Sequence, residues 1–465
     1  MSTLTTTLAE PGPLAAPAAA ARSADLRGAS QLRRDLRAML GDGVAFSLMV
    51  GIGESYLPAF ALALGHGDVV SGLVATVPML FGALLQLASP AAVGLLASHR
   101  RWIVFCASLQ ALCFVPLVVS ALAGQMDLLL LYATASLYWG LGMSTGPAWT
   151  TWASSLVPKR LRPAFFANRA RASQAALVLG LAVGGLVLQL GKGQGREFEG
   201  YALIFAIALL ARVVSAAFLR SQREPRTLEV GETSISPAII RRHVRTGGHG
   251  RLLFFLLTFQ MGVMVASPYF TPFMLTELEL SYFEFTVLTA TAFASRVFTL
   301  PFLGRWVRRA GTKKVLSRAG IAISTFPILW LVTDDFAWLF LLQVVSGIGW
   351  AAFELASLLS FFERIPPRGQ TSVLTLYNLA NAAAIVLGSA LGGGLLHVFG
   401  PGPAGFVAIF VVSTVARAGL LGFLRRVPDV AHPGEAPPLR PLSARPGTGA
   451  DQRPVLTDQG EFHRD

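Results

Sequence analysis

The sequence predicts an all-α polytopic membrane protein of about twelve transmembrane helices, arranged as two parallel-repeat six-helix bundles. Three observations predict it. Apolar residues come in blocks of roughly 20, the length that crosses a ~30 Å hydrocarbon core. Basic residues collect in alternate short loops. The second half of the chain repeats features of the first in the same order.

Composition supports the first observation. The chain has 465 residues, of which 53% are hydrophobic and 14% charged, with a mean hydropathy of +0.58. A soluble chain of this length would divide into domains with polar surfaces. The apolar blocks lie at 42–64, 69–97, 102–123, 127–148, 172–190, 200–219, 252–275, 281–303, 315–332, 336–362, 371–398 and 404–424. Backbone polar groups in lipid must be satisfied within a segment, so each block is expected to be helical. The expected organisation is a disordered tail at 1–39, a bundle at 40–220, a polar linker at 221–251, a second bundle at 252–426 and a disordered tail at 427–465.

The second observation sets the orientation. The net charge is +13, but the cations do not stud a soluble domain as nucleic-acid binding would require. With both termini placed in the cytoplasm, 33 of the 38 Lys and Arg fall on the cytoplasmic side. The outer loops hold only Lys192 and Arg196, and Arg212, Arg296 and Arg417 lie inside spans. A miscounted helix would scramble this asymmetry. The expected location is the inner (cytoplasmic) membrane, with the lipid bilayer as partner and no nucleic acid. Cys106 and Cys113 share one apolar block too far apart along a helix to bridge, and no metal-ligand spacing occurs, so no cofactor is expected.

The third observation is the repeat. Gly200–Arg220 and Gly405–Arg425 share Gly, Ile, Phe, Ala, Arg, Phe, Leu and Arg at a constant offset of 205 residues. The run from Leu179 reads LGLAVGGLVL and the run from Leu387 reads LGSALGGGLL. Tyr56, Phe60 and Leu62 recur as Tyr269, Phe273 and Leu275. Two parallel six-helix halves joined by a basic linker form a transporter architecture.

At this point the chain, over about 40–426, resembles the major facilitator superfamily. The carrying motif is Gly304-Arg-Trp-Val-Arg308-Arg309-Ala-Gly311-Thr-Lys313-Lys314, which is similar to the family's loop signature of a glycine turn with flanking cations, with Arg308 where the family has Asp. A weaker first-half copy runs from Gly94 to Arg101. Gly140-Leu-Gly142 resembles the family's helix-4 glycine motif, with Ser136 where an arginine usually stands. Gly180-Leu-Ala-Val-Gly184-Gly185 resembles the antiporter motif without its proline, and small residues that let helices approach explain it equally well. The resemblance implies that spans 1, 4, 7 and 10 line a central cavity.

Ionisable groups inside spans are the first candidates, because each costs about 2.5–3.5 kcal/mol or more at a helix centre. Glu54 lies near mid-membrane in a polar break, Gly51-Ile-Gly53-Glu54-Ser-Tyr56. A carboxylate removed from water holds a proton more readily, which suits proton exchange. Arg296 and Glu354 lie at similar depth and are candidates for coupling or for a gate pair. Tyr56, Trp139, Tyr269 and Trp350 are candidate cavity aromatics, and Gln260, Gln343, Asn378 and Asn381 are candidate polar contacts. Arg212 and Arg417 are expected to snorkel to the cytoplasmic face as structural residues. The basic segment from Val157 to Arg171 is expected to form an interfacial helix on anionic lipid.

The functional expectation is a secondary transporter of a small organic solute by alternating access, monomeric and proton-coupled. The alternative is a membrane sensor or assembly factor of the same shape without transport. No Gly-x4-Gly-Lys-[Ser/Thr] loop supports ATP hydrolysis, and the scattered histidines offer no enzyme cluster.

Overall fold

The computed structural model describes residues 15–158, 161–224, 249–364 and 367–424. Twelve helical segments follow in chain order. The first, α1, runs from Ala15–Ile52 and, after a break, Leu57–Ala63. Then α2 comprises Gly67–Val74, Val77–Gln86 and Ser89–Leu96, and α3 comprises His99–Leu112 and Phe114–Ala123. Next come α4 (Leu128–Leu156), α5 (Arg162–Gly193) and α6 (Glu197–Ser221). The second half opens with α7, which runs from His249–Met264 and continues through short irregular turns to Glu277. It closes with α8 (Tyr282–Ala310), α9 (Thr312–Leu329), α10 (Phe336–Arg364), α11 (Pro367–Phe399) and α12 (Pro403–Leu424). Among the described residues, nine stretches are long and apolar enough to cross a membrane, and α4, α8 and α9 fill the three remaining expected positions.

Packing repeats between the halves. In the first half α1 packs on α5 and α6, and α4 packs on α2 and α3; in the second α7 packs on α11 and α12, and α10 packs on α8 and α9. Three repeat-related contacts show why the small residues recur. A Cβ on Gly180 would sit against the Leu48 carbonyl, and one on Gly388 against the Met261 carbonyl. A Cβ on Gly184 would strike the Tyr56 ring, and one on Gly392 the Tyr269 ring. The Tyr56 hydroxyl donates to the Leu181 carbonyl at 2.6 Å, and that of Tyr269 to the Ser389 carbonyl at 2.6 Å. Close backbone approach, not a transport signal, is therefore what these glycines supply.

The halves meet along α5–α8 and α2–α11. Gly185 lies against Thr286 and Gly393 against Val69, each across this seam. Large apolar side chains cover the outside, with Leu95 at 88%, Leu129 at 78% and Phe298 at 75% exposure, as a lipid-facing surface requires.

Three expectations are corrected. Residues 15–39, expected to be disordered, continue α1 as an Ala-rich helix, and from Asp35 onward it is anchored: Asp35 and Met39 are buried, and the Arg223 N–H donates to Asp35. Of the basic segment before span 5, the part from Arg162 onward is no separate interfacial helix but the first turns of α5, and Lys159 and Arg160 lie outside the described residues. There Arg169 donates to the Met39 carbonyl, pairs with Asp42 at 3.3 Å and lies 4.5 Å over the Trp149 ring. Third, the Gly304–Lys314 motif is nearly all helix. Only Gly311, at φ +86°, separates α8 from α9, and there the left-handed backbone excludes a side chain. Gly304 is buried, Arg309 and Lys314 are exposed and Lys313 is half-buried, while the Arg308 side chain lies outside the described residues. In the first-half counterpart, Glu224 caps the start of α3: Ser98 Oγ, the His99 N–H at 2.6 Å and the Arg100 N–H at 3.3 Å all donate to it. A carboxylate on a helix N-terminus is favourable for the same reason an anion is.

Candidate functional site

The site begins with two matched breaks. Glu54–Tyr56 and Ser267–Tyr269 both leave α-helical geometry, 213 residues apart, so the break belongs to the repeat. In α1, Pro58 has no N–H to give the Glu54 carbonyl, which accepts from the Leu57 N–H instead, and Ser55 Oγ donates to the Val50 carbonyl at 2.8 Å. In α7, Pro268 opens the turn. Irregular backbone at membrane depth is tolerated where it is buried in protein or lines a cavity.

A cavity of about 180 Å³ lies at these breaks, between the two halves. Glu54 and Ser267, the repeat-related residues of the breaks, both line it. So do Trp139 of α4, Arg296 of α8, and Gln343 and Trp350 of α10. The walls are otherwise largely apolar and aromatic, including Phe270, Phe285, Phe293, Phe326 and Trp330. Glu54 is buried, and its Oε2 accepts a hydrogen bond from the Tyr138 hydroxyl at 2.6 Å. Arg296 Nη2 forms an ion pair with Glu354 Oε1 in which both side chains are largely buried. Glu354 stands behind Arg296 and is not among the cavity residues.

Several sequence candidates take other places. Tyr56 and Tyr269 are fully buried helix–helix contacts whose hydroxyls are used on α5 and α11, with Tyr56 also 2.8 Å from Thr286 Oγ1. Both fall on cavity helices, but each ring points at the glycine seat opposite it. Gln260 is buried, Asn378 and Asn381 are half-buried on α11, and none lines the cavity.

Sequence reasoning missed three features. Tyr138, which holds Glu54, neighbours the singled-out Trp139 and carried no separate signal. Asp42 pairs with Arg169 and accepts from Ser215, which in turn accepts from Arg212. Arg212 thus has a buried polar network and does not snorkel. Arg417 is 2% exposed and lines the cavity, against the expectation that it reaches a membrane face. Its guanidinium donates to the Ile323 carbonyl at 2.9 Å and the Val263 carbonyl at 3.1 Å.

Cross-half contacts gather at the end away from the basic loops. The Tyr282 hydroxyl donates to Glu197 at 2.5 Å and lies 2.7 Å from the Tyr201 hydroxyl. Thr276 Oγ1 donates to Asp68 at 3.4 Å, and the Phe283 N–H to Gln189 at 3.4 Å.

Two six-helix halves of parallel repeat, with a buried and partly charged cavity at their seam, define a polytopic membrane transporter rather than an enzyme. The family model described as Major Facilitator Superfamily matches residues 252–458. The sequence likeness to that superfamily thus runs over the second half of the chain. Among solved structures, the nucleoside transporter NupG is 13% identical, with a TM-score of 0.64 over 84% of this chain and 98% of that one. An auto-inhibited POT family peptide transporter is 10% identical, with a TM-score of 0.68 over 87% of this chain and 99% of that one. At such identities the likeness shows the fold alone. No curated protein sequence matches the chain.

Proposed function

We propose that the protein is a proton-coupled secondary transporter of a small organic solute, working by alternating access across the cytoplasmic membrane with both termini inside. The observation that carries this is the buried Glu54, held by Tyr138, in an aromatic-walled cavity at the seam of the two halves. A carboxyl group there can take and release a proton while the solute occupies the same cavity. The bundles, 40–220 and 252–426, are the bodies that rock. The contacts among Glu197, Tyr201 and Tyr282 are the gate on the outer side. Solutes of the nucleoside and peptide transporters with similar folds are likewise small organic molecules.

The test compares intracellular and extracellular metabolites in cells lacking the gene, in complemented cells, and in cells complemented with Glu54→Gln. One compound should redistribute across the membrane on deletion and return with the wild-type gene. Glu54→Gln, expressed at equal level, should fail to restore a gradient against the solute's own concentration. If no compound moves, or if Glu54→Gln restores the gradient in full, the reading is wrong.

A further inference from the structure

The two arginines at equivalent places in the repeat have different surroundings: a carboxylate is linked to Arg212 through Ser215, and none is so linked to Arg417 among the described residues. Arg212 and Arg417 occupy the same register of α6 and α12, 205 residues apart. Arg212 donates to Ser215 at 2.7 Å, and Ser215 donates to the Asp42 carboxylate at 2.7 Å. The second half has lost both partners. At the offset of 205 Ser215 becomes Leu420, and at the α1–α7 offset of 213 Asp42 becomes Phe255. Arg417 nonetheless remains a buried arginine.

Its direction differs accordingly. Arg212 turns toward Asp42, near the basic side, and its guanidinium lies 4.9 Å over the Phe46 ring. Arg417 instead reaches the Val263 carbonyl, eight residues past Phe255 along α7. That is about 12 Å deeper. There it joins the lining of the central cavity. Among the described residues no carboxylate lies within 4.0 Å of it, and its Nε has no hydrogen-bond partner. Arg296 is already neutralised by Glu354. An unneutralised guanidinium in a membrane interior is costly, and it persists where a ligand supplies the opposite charge.

We propose that the cavity binds a small organic monoanion, whose acidic group pairs with Arg417 and whose body lies among Trp139, Phe270, Trp330 and Trp350. One uncompensated cation fits one negative charge. Glu54, in the same cavity, disfavours a polyanion and becomes compatible with a monoanion when it carries the coupling proton. This rests on the cavity being the solute site and specifies the solute's class.

The experiment measures thermal stabilisation of the purified full-length protein in detergent. The probes are benzoate, phenylacetate, indole-3-acetate and hexanoate, each paired with its neutral amide. At least one acid should raise the melting temperature saturably while its amide does not. Arg417→Met should weaken that acid by about 10- to 100-fold, the worth of a charge-assisted pair. Without ligand, Arg417→Met should melt no lower than the wild type, because an unpaired buried charge has been removed. If no acid surpasses its amide, or Arg417→Met binds the acid unchanged, the inference is wrong. If Arg417→Met does not fold, the arginine is needed for structure, and Arg417→Lys decides. A shorter cation must weaken the acid more than the amide, and equal effects overturn the inference. Anion binding without any transport would keep this inference and sink the transporter reading. Glu54-dependent transport of a solute that binds equally in Arg417→Met would do the reverse.

Discussion

Replacing Arg296 by Gln removes one half of a buried ion pair and leaves Glu354 behind. The side chains are 13% and 7% exposed, so neither charge is well hydrated. Breaking a buried pair from one side costs about 3–5 kcal/mol, most of it from the stranded charge. Some access exists through the cavity, but on the Arg296 side, since Glu354 does not line it. The stranded carboxylate is therefore the worse case. Arg296→Gln should cost about 3 kcal/mol or more, roughly a 100-fold or larger fall in the folded-to-unfolded ratio. Glu354→Gln should cost less, because the remaining guanidinium can turn to the cavity. The double variant Arg296→Met with Glu354→Met should recover to within about 1 kcal/mol of wild type, since both charges are gone. The assay is equilibrium unfolding in mixed micelles, with a double-mutant cycle over the two positions. A single-variant loss below about 1 kcal/mol, or a double variant no better than Arg296→Gln, would show that the pair is not a coupled buried unit.

Two further outcomes follow from the repeat and the seam. Tyr56→Phe and Tyr269→Phe each remove a repeat-related hydrogen bond to a helix carbonyl, and each should destabilise by about 1 kcal/mol. Unfolding measurements giving a large loss for one and none for the other would contradict the symmetry argument. Tyr282→Phe removes the donor to Glu197 and a partner of Tyr201 at the proposed outer gate. It should increase labelling of a reporter cysteine placed at Ser267 by an impermeant thiol reagent added outside. Cys106 and Cys113 are both buried and add little background. Unchanged labelling would place the gate elsewhere.

The fold was legible because lipid imposes simple rules on sequence. A membrane-spanning helix must be about 20 apolar residues long, so block length sufficed to count the helices without knowledge of any contact. The repeat was legible for a similar reason. Tyr56 and Tyr269 recur because each needs the same glycine seat, and the pattern survives in the letters. What those letters could not say was which way a ring faces. Tyr56 and Trp139 both sit on cavity helices, yet one fills a helix–helix seat and the other lines the cavity. A helix turns about 100° per residue, so the direction of a side chain depends on how the helix is packed.

Charge partners mark the same boundary. Glu54, Arg296 and Glu354 stood out as ionisable groups within spans, because burial cost is a property of the residue type. Their partners come from distant parts of the chain, as Tyr138 does for Glu54 and Asp42 for Arg169 and Ser215. Arg212 and Arg417 hold the same place in the repeat and have different surroundings. Part of the difference is local, Ser215 against Leu420, and part lies at residues 42 and 255, more than 150 residues away along the chain. The sequence by itself determined the number of helices and their repeat, since these follow from the solvent and the local chain. Only the tertiary structure decided which charges are neutralised and which face the cavity, since that depends on which helices are brought side by side.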